Sequence, residues 1–169
     1  MPTSVQLYNP HRNQEIIHNS INKEAYKYYC LNIGRQFGKT MLAMNQCYYW
    51  AINSPTSKIG WVSPTYKQCK KVFDEMCLAM RDTGLIETNQ SDLMIKLVNG
   101  STIQFFSSER YDNIRGFTFD YLVCDEFAFM PEQAWSEVLR ATVLVKGKKV
   151  LLVSTPKGKN HFYNMFCLD

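Results

Sequence analysis

Residues 28–40, with the sequence YYCLNIGRQFGKT, have the composition of a phosphate-binding loop. An apolar, strand-like run leads into a loop with two glycines, and Lys39 and Thr40 follow where a helix-forming sequence begins. In such loops, backbone N–H groups and the helix N-terminus point at an anion, a lysine reaches the β- and γ-phosphates, and the next hydroxyl ligates Mg²⁺. The common pattern G-x-x-x-x-G-K-[ST] has its first glycine where this chain has Ile33, so this loop is a variant. A nucleotide phosphate is the expected ligand.

Two adjacent acids, Asp125 and Glu126, follow an apolar run that is typical of a strand buried on both faces. Burying both without partners would cost several kcal/mol, and the carboxyl ends of strands in an α/β sheet are where ligands bind. A Mg²⁺ ion shared with Thr40 would supply the missing charge for Asp125. Glu126 would then polarise an attacking water. The competing interpretation is that the pair caps a helix beginning near Pro131.

A third apolar run, residues 148–153, ends in Ser154 and Thr155. Small hydroxyls at such a strand tip are able to contact a γ-phosphate or its water. The Ser-Thr-Pro sequence is equally common in ordinary turns.

The elements that must position these groups follow from hydrophobic periodicity. Apolar runs predict buried strands at the start of residues 28–40 and at residues 58–63, 121–124 and 148–153. Helical spacing predicts helices over residues 38–53, 66–81, 131–145 and 160–168, and an N-terminal helix whose first turn can hold Pro10. Alternation around Asn99-Gly100 predicts an antiparallel hairpin near residues 93–106, inserted or at a sheet edge, and residues 107–116 are expected to form a loop. The predicted class is α/β, a mostly parallel sheet flanked by helices.

Composition describes an ordinary globular domain, with 169 residues, 46% hydrophobic, 20% charged and a formal net charge of +4. This mild positive charge permits a nucleic-acid partner without requiring one. No apolar run reaches the roughly 18 residues that span a bilayer, and no secretory signal is visible, so we expect no membrane partner and a cytoplasmic location. Six scattered cysteines without a C-x-x-C pair favour reduced, structural thiols.

Two polar groups have both a functional and a plain interpretation. The Gln14 amide is able to pair with an adenine edge, as such amides do in DNA, but chemistry alone favours a solvated glutamine on a surface helix. Tyr66, Lys67, Lys70 and Lys71 lie near the front of a predicted helix, where a solvated basic face is favoured over a nucleic-acid contact.

Four blocks in this order resemble the ATPase domain of a phage large terminase, the motor that packages viral DNA. The blocks are GRQFGKT at 34–40, WVSPTYKQCKKVFDEM at 61–76, NIRGFTFDYLVCDEFAF at 113–129 and LLVSTPKGKNHFYNMF at 151–166. The resemblance implies a P-loop NTPase fold of the ASCE, RecA-like type. It also implies an Mg²⁺-dependent ATPase, with ATP and Mg²⁺ as cofactors.

The resemblance further implies a role for each matching residue. The ATP-binding residues would be Gly34, Arg35, Gln36, Phe37, Gly38, Lys39 and Thr40, together with Gln14 as the reader of adenine. Thr40 and Asp125 would hold Mg²⁺, and Glu126 would be the catalytic carboxylate.

The same resemblance gives four residues roles in sensing and coupling. Arg35 would contact the γ-phosphate or relay its state. Arg115, in IRG, would be an arginine finger that reaches the ATP of a neighbouring subunit. Ser154 and Thr155 would couple hydrolysis to movement.

At the level of assembly, the resemblance implies a homo-oligomeric ring acting on double-stranded DNA, with a portal protein and a small terminase subunit as partners. The expected place is the cytoplasm of the infected bacterial host, transiently at the procapsid portal. Family members are much longer and carry a C-terminal nuclease. Residues 1–169 are therefore expected to be one ATPase domain, incomplete at its C-terminus, with no nuclease activity.

Two other functions remain open from the residues. A two-domain helicase also has a glutamine before its phosphate loop and an acidic pair, although this chain has DEFA in place of a DEAD or DEAH box. A nucleotide-binding or assembly module without turnover is the second alternative.

Overall fold

A seven-stranded sheet runs through the computed structural model, which describes residues 7–168. The expected single domain extends to residues 1–6 and 169, which lie outside the described residues. The strands are β1 (Tyr28–Asn32), β2 (Lys58–Ser63), β3 (Ile86–Asn89), β4 (Met94–Leu97), β5 (Thr102–Ser107), β6 (Tyr121–Asp125) and β7 (Lys149–Ser154). Their spatial order is β1-β7-β6-β2-β5-β4-β3. The first five strands in this order are parallel, and β4 and β3 are antiparallel to their neighbours. The expected α/β class with a mostly parallel sheet is confirmed.

Helices cover both faces of this sheet. The α-helices are α1 (Arg12–Lys23), α2 (Lys39–Asn53), α3 (Tyr66–Met80), a single turn α4 (Arg140–Thr142) and α5 (His161–Phe166). Short 3₁₀ segments span Arg81–Thr83, Ser108–Ile114 and Phe127–Phe129, and a π-helix spans Ala134–Leu139. One hydrophobic cluster packs α2 and α3 on the sheet, and a second packs the π-helix and Phe162 of α5 on the other face. Central strands β6 and β7 are buried on both faces, which explains their continuous apolar sequences.

The predicted hairpin exists, but its position in the sheet differs from the prediction. β4 and β5 pair antiparallel around Asn99-Gly100, as the alternation indicated. β5 also pairs parallel with β2 along its whole length, so it is an internal strand of the main sheet rather than part of an insertion. Strand β3, which was not predicted, forms the outer edge. Its sequence IETN has a single large apolar residue, so it carries almost no hydrophobic signal.

Four further predictions need correction. The helix predicted over 131–145 is present but shorter, covering residues 132–142, and its middle part, Ala134–Leu139, is a π-helix. Pro10 precedes the N-cap His11 and does not lie in the first turn of α1. The loop predicted over 107–116 contains 3₁₀ turns. The helical spacing of residues 38–53 also predicts Met41 as a core residue of α2, but Met41 is 43% exposed, because it lies on the outer side of that helix.

The parallel strands bring the chemically important segments to one edge of the sheet. Asn32 is in register with Ser154, and Val153 with Asp125. The carboxyl ends of β1, β7 and β6 therefore lie side by side, at the edge where α/β sheets bind ligands. No helix within residues 7–168 is long and apolar enough to cross a membrane.

Candidate active site

The phosphate loop joins β1 to α2 and makes Lys39 the first residue of the helix. Gly38, its N-cap, adopts a left-handed conformation with φ +82°, which glycine reaches without a steric penalty. The Lys39 side chain is largely buried, and its Nζ donates a hydrogen bond to the Gly34 carbonyl at 3.3 Å. The ammonium group therefore lies within the loop, where the helix N-terminus also favours an anion.

Thr40 and Asp125 meet across the gap between the loop and the end of β6. Thr40 Oγ1 donates to Asp125 Oδ2 at 3.1 Å and lies 3.4 Å from Oδ1. The two side chains come from positions 85 residues apart in the chain. A hydroxyl and a carboxylate are hard oxygen ligands of the kind that Mg²⁺ prefers. The donor set therefore fits the metal that the sequence predicted.

Electrostatics also favour a cation at this point. Asp125 is 5% exposed, and burial, followed by the charge of Glu126, raises its pKa to about 6. The hydrogen bond from Thr40 and the charge of Lys39 act in the opposite direction without cancelling the effect. A buried carboxylate with a raised pKa lacks a compensating positive charge, which a bound divalent cation would provide.

Glu126 follows directly and has an unusual backbone conformation. Its φ of +53° is left-handed, which is uncommon for a residue with a side chain and often marks a functional site. Ser154 Oγ and Thr155 Oγ1 each donate to Glu126 Oε2 at 3.4 Å. Ser154 Oγ also accepts a hydrogen bond from the Ala128 backbone N–H at 3.1 Å. The tip of β7 therefore contacts the carboxylate that follows β6.

Two adjoining cavities open at this edge of the sheet. The first, of about 230 Å³, lies on the metal-ligand side and is lined by Thr40, Ser63, Pro64, Gln68, Lys71, Val72, Glu75, Asp125 and Glu126. The second, of about 280 Å³, lies on the loop side and is lined by Arg35, Gln36, Lys39, Gln68, Glu126, Phe129 and Thr155. The fold thus gathers the residues predicted for phosphate, metal, water and coupling around one opening.

Gln14 is buried rather than solvated, so the plain interpretation of this residue was wrong. It is 5% exposed, and its Nε2 donates to the carbonyls of Phe37 at 3.2 Å and Gly38 at 3.5 Å. Its Oε1 accepts from the His11 backbone N–H at 3.0 Å. The His11 ring also stacks edge-on against Phe37 at 4.8 Å between centroids. In this structure the amide holds the phosphate loop to α1.

The two predicted arginines occupy different places. Arg35 is exposed at the mouth of the loop-side cavity. Arg115 lines neither of the two cavities as residues 7–168 define them. It pairs instead with Asp112 at 2.7 Å and Glu137 at 3.4 Å, and its side chain is 54% exposed. Arg115 therefore lies on the surface outside the site of its own chain.

Gln68 lines both cavities and was not singled out from the sequence. The available signal was the pattern Thr65-x-x-Gln68 directly after a predicted strand, which is a helix capping box. Of the basic group on the same helix, Tyr66 and Lys67 are exposed, and Lys70 and Lys71 pair with acids one turn along. These pairs agree with a solvated face.

Comparisons with known proteins give a consistent result. The family model described as "Terminase large subunit, T4likevirus-type, N-terminal" matches residues 30–167. The terminase large subunit of Thermus phage G20c is 32% identical over 182 residues, covering 95% of this chain and 36% of that protein. The subunit of Thermus virus P23-45 is 33% identical over 183 residues with the same coverage. The chain thus spans a little over a third of the length of these curated relatives.

Solved structures with a similar fold include those of large terminases. The large terminase ATPase domain of Thermus phage P74-26 has a TM-score of 0.81 at 28% identity, over 94% of this chain and 70% of that one. The large terminase of a thermophilic bacteriophage, solved in complex with ADP, has a TM-score of 0.72 at 19% identity, over 91% of this chain and 40% of that one, which shows a shared fold. The predicted P-loop NTPase fold is confirmed. The family match over residues 30–167 places this chain in the terminase large subunit family, T4likevirus type, where it corresponds to the N-terminal region.

Proposed function

We propose that this chain is the ATP-hydrolysing motor domain of a viral DNA-packaging terminase, coupling Mg-ATP hydrolysis to translocation of double-stranded DNA into a procapsid. The contact between Thr40 and Asp125 carries the proposal, since it joins the phosphate loop to the acidic strand end through oxygen groups of the kind that Mg²⁺ prefers. Family membership and the P74-26 ATPase domain, with its matching fold, support the same conclusion.

The residues of the chain have distinct roles in ATP binding and hydrolysis. Lys39 and the loop backbone bind the β- and γ-phosphates, and Arg35 contacts the γ-phosphate at the cavity mouth. Thr40 and Asp125 would hold Mg²⁺, which when bound would neutralise charge on the phosphate oxygens. Glu126 accepts the proton of the attacking water.

Coupling follows from the contacts of Glu126. Because Ser154 and Thr155 both hydrogen-bond to its Oε2, a change at the carboxylate during hydrolysis alters the tip of β7. We assign Ser154 and Thr155 the role of passing that change to the rest of the motor.

Completion of the site requires a second subunit. Arg115 is exposed and lies outside its own chain's cavities, which supports a role on a neighbour in a homo-oligomeric ring. Such an arginine finger is worth about 10³–10⁵ in rate in nucleotide hydrolases. Portal protein and small terminase subunit are the further partners of this assembly, in the cytoplasm of the infected host.

The direct test measures ATP binding and turnover for the wild type, Lys39→Ala and Lys96→Ala. Lys96 is exposed on β4, which lies in the sheet far from the site. Lys96→Ala therefore removes the same kind of side chain without touching the site. We expect Lys39→Ala to lose ATP binding and Lys96→Ala to retain it. Binding without turnover at any protein concentration would identify a nucleotide-binding component instead, and ATP-dependent strand displacement would favour a helicase.

A further inference from the structure

Gln68 lies beside the same two cavities as Glu126, the proposed catalytic carboxylate. The metal-side cavity contains Thr40 and Asp125, and the loop-side cavity contains Lys39. Within residues 7–168, Glu126 and Gln68 are the residues that line both cavities. Gln68 therefore lies at the junction where a γ-phosphate held by the loop would meet a water beside Glu126.

The orientation of the Gln68 amide is fixed by the start of α3. Its Oε1 accepts hydrogen bonds from the Thr65 backbone N–H at 3.1 Å and from Thr65 Oγ1 at 3.0 Å. In return, the Gln68 backbone N–H donates to Thr65 Oγ1 at 3.3 Å. Across the described part of the chain, the Nε2 of this amide has no hydrogen-bond partner. An amide whose oxygen is engaged offers its two N–H donors to a ligand.

The turn that carries Thr65 is itself held in place. The Pro64 carbonyl accepts from the Glu109 backbone N–H and from Ser108 Oγ, each at 3.3 Å. Glu109 Oε2 accepts from the Tyr66 backbone N–H at 3.3 Å. Positioned donors of this kind need no reorganisation during a reaction, which is the condition for effective electrostatic catalysis.

We propose that Gln68 orients the water that attacks ATP, donating a hydrogen bond from Nε2 to the water oxygen while Glu126 accepts the water proton. This inference rests on the proposed function. In the step, a bond forms between the water oxygen and the γ-phosphorus, and the bond from the γ-phosphorus to the bridging oxygen breaks. ADP leaves with that oxygen. Gln68 neither gains nor loses a proton.

Two substitutions distinguish the role of Gln68 as a hydrogen-bond donor from its role in the helix cap. Gln68→Glu keeps an oxygen that accepts from Thr65, since glutamate is itself a capping-box residue, but it removes the N–H donors. Gln68→Met has a similar length, removes both the donor and the cap, and adds no charge. We expect both variants to lower kcat by about 10²-fold with the KM for ATP nearly unchanged. Only Gln68→Met should lower the melting temperature, because only it loses the cap.

The kcat values of Gln68→Glu and Gln68→Met, taken together, distinguish a hydrogen-bond donor from a helix cap. A loss of kcat in Gln68→Glu alone would mean that added charge, not the missing donor, slows the enzyme. A loss in Gln68→Met alone would mean that Gln68 serves only as a cap. Either result overturns the proposal.

A binding measurement gives a readout that does not depend on turnover. Mg-ADP with aluminium fluoride mimics the phosphoryl group in transfer together with its attacking water. We expect the wild type to bind ADP more tightly when aluminium fluoride is present, and both variants to lose that gain while binding Mg-ADP as the wild type does. Variants that keep the gain would refute the role of Gln68. A wild type that does not bind Mg-ADP would refute the proposed function itself.

Discussion

At the scale of single residues, burial of Asp125 in the site lowers the stability of the metal-free fold near neutral pH. Its carboxyl group is buried beside a second acid, and its pKa is raised to about 6. An unfolded aspartate titrates near pH 3.9. Between these values the folded state binds more protons than the unfolded state, so the contribution of Asp125 to stability is lost as the pH rises from about 4 to about 6.

Asp125→Asn should therefore stabilise the metal-free protein near neutral pH. The variant has no buried charge at pH 7.5, and we expect its free energy of unfolding to exceed that of the wild type by up to about 3 kcal/mol. At pH 4 the difference should largely disappear, since Asp125 is then protonated in the fold. Denaturant unfolding in EDTA at several pH values measures this difference, and a difference that is independent of pH would contradict the account.

Single residues also show where the sequence was informative. Lys39, Thr40, Asp125 and Glu126 follow from motif chemistry, because loop glycines and paired acids at a strand end are rare without a ligand. Gln68 acts through an amide whose orientation depends on a hydrogen bond to Thr65, and its place between two cavities depends on how α3 packs. The capping-box pattern indicates the hydrogen bond between Gln68 and Thr65, but the place of Gln68 between two cavities has no signature in residue types.

At the scale of elements, α1 serves as a clamp on the phosphate loop. The Gln14 amide and the His11 ring both contact the Phe37 carbonyl, and Gln14 also contacts Gly38. If this contact sets the shape of the loop, its loss weakens the binding of every nucleoside triphosphate. If Gln14 reads adenine, its loss weakens ATP binding selectively.

Gln14→Leu should weaken ATP and GTP binding to a similar degree, by about tenfold, because the loop loses two hydrogen bonds. Equilibrium titration with both nucleotides measures the two affinities. Ile16→Ala, on the exposed side of the same helix, is the matched control and should bind as the wild type does. A loss confined to ATP would show that the amide reads the base.

Strand β2 depends on a close approach that only glycine permits. A Cβ atom at Gly60 would lie 2.8–3.0 Å from ring carbons of Phe119, which is itself buried and stacked against Phe117. Gly60→Ala should therefore reduce the free energy of unfolding by about 1–3 kcal/mol, measured by denaturant titration. Gly34→Ala, where a Cβ would meet no atom within 4 Å, is the control. Equal stability of the two variants would contradict the packing described.

Elements with strong periodicity were predictable almost to the residue. The strand over residues 58–63 matches β2, and α3 ends one residue before its prediction. The π-helix was not predictable, since π and α turns have nearly the same hydrophobic spacing. The second pairing of β5 was also missed, because a hairpin sequence specifies only its local partner.

At the scale of the whole molecule, the proposed role of Arg115 would make one chain an incomplete enzyme. Its pairs with Asp112 and Glu137 hold it at the surface in the single chain. Exposed ion pairs of this kind contribute little free energy, so a neighbouring nucleotide can compete for the arginine.

A mixing experiment tests this division between subunits. Arg115→Ala lacks the proposed finger but keeps the phosphate loop, whereas Lys39→Ala lacks the loop lysine but keeps the proposed finger. We expect each variant alone to be nearly inactive and an equimolar mixture to regain measurable ATP turnover. A mixture as inactive as its components would mean that Arg115 acts within its own chain or not at all.

Steady-state ATP hydrolysis with Mg²⁺, measured over a wide range of protein concentration for the wild type and Glu126→Gln, tests most directly whether Glu126 catalyses hydrolysis at a site that a second subunit completes. We expect wild-type turnover that rises faster than linearly with concentration, and ATP binding without turnover in the variant. A wild type that binds ATP but never hydrolyses it, or a Glu126→Gln variant that hydrolyses at the wild-type rate, would contradict a catalytic role for Glu126 in this chain.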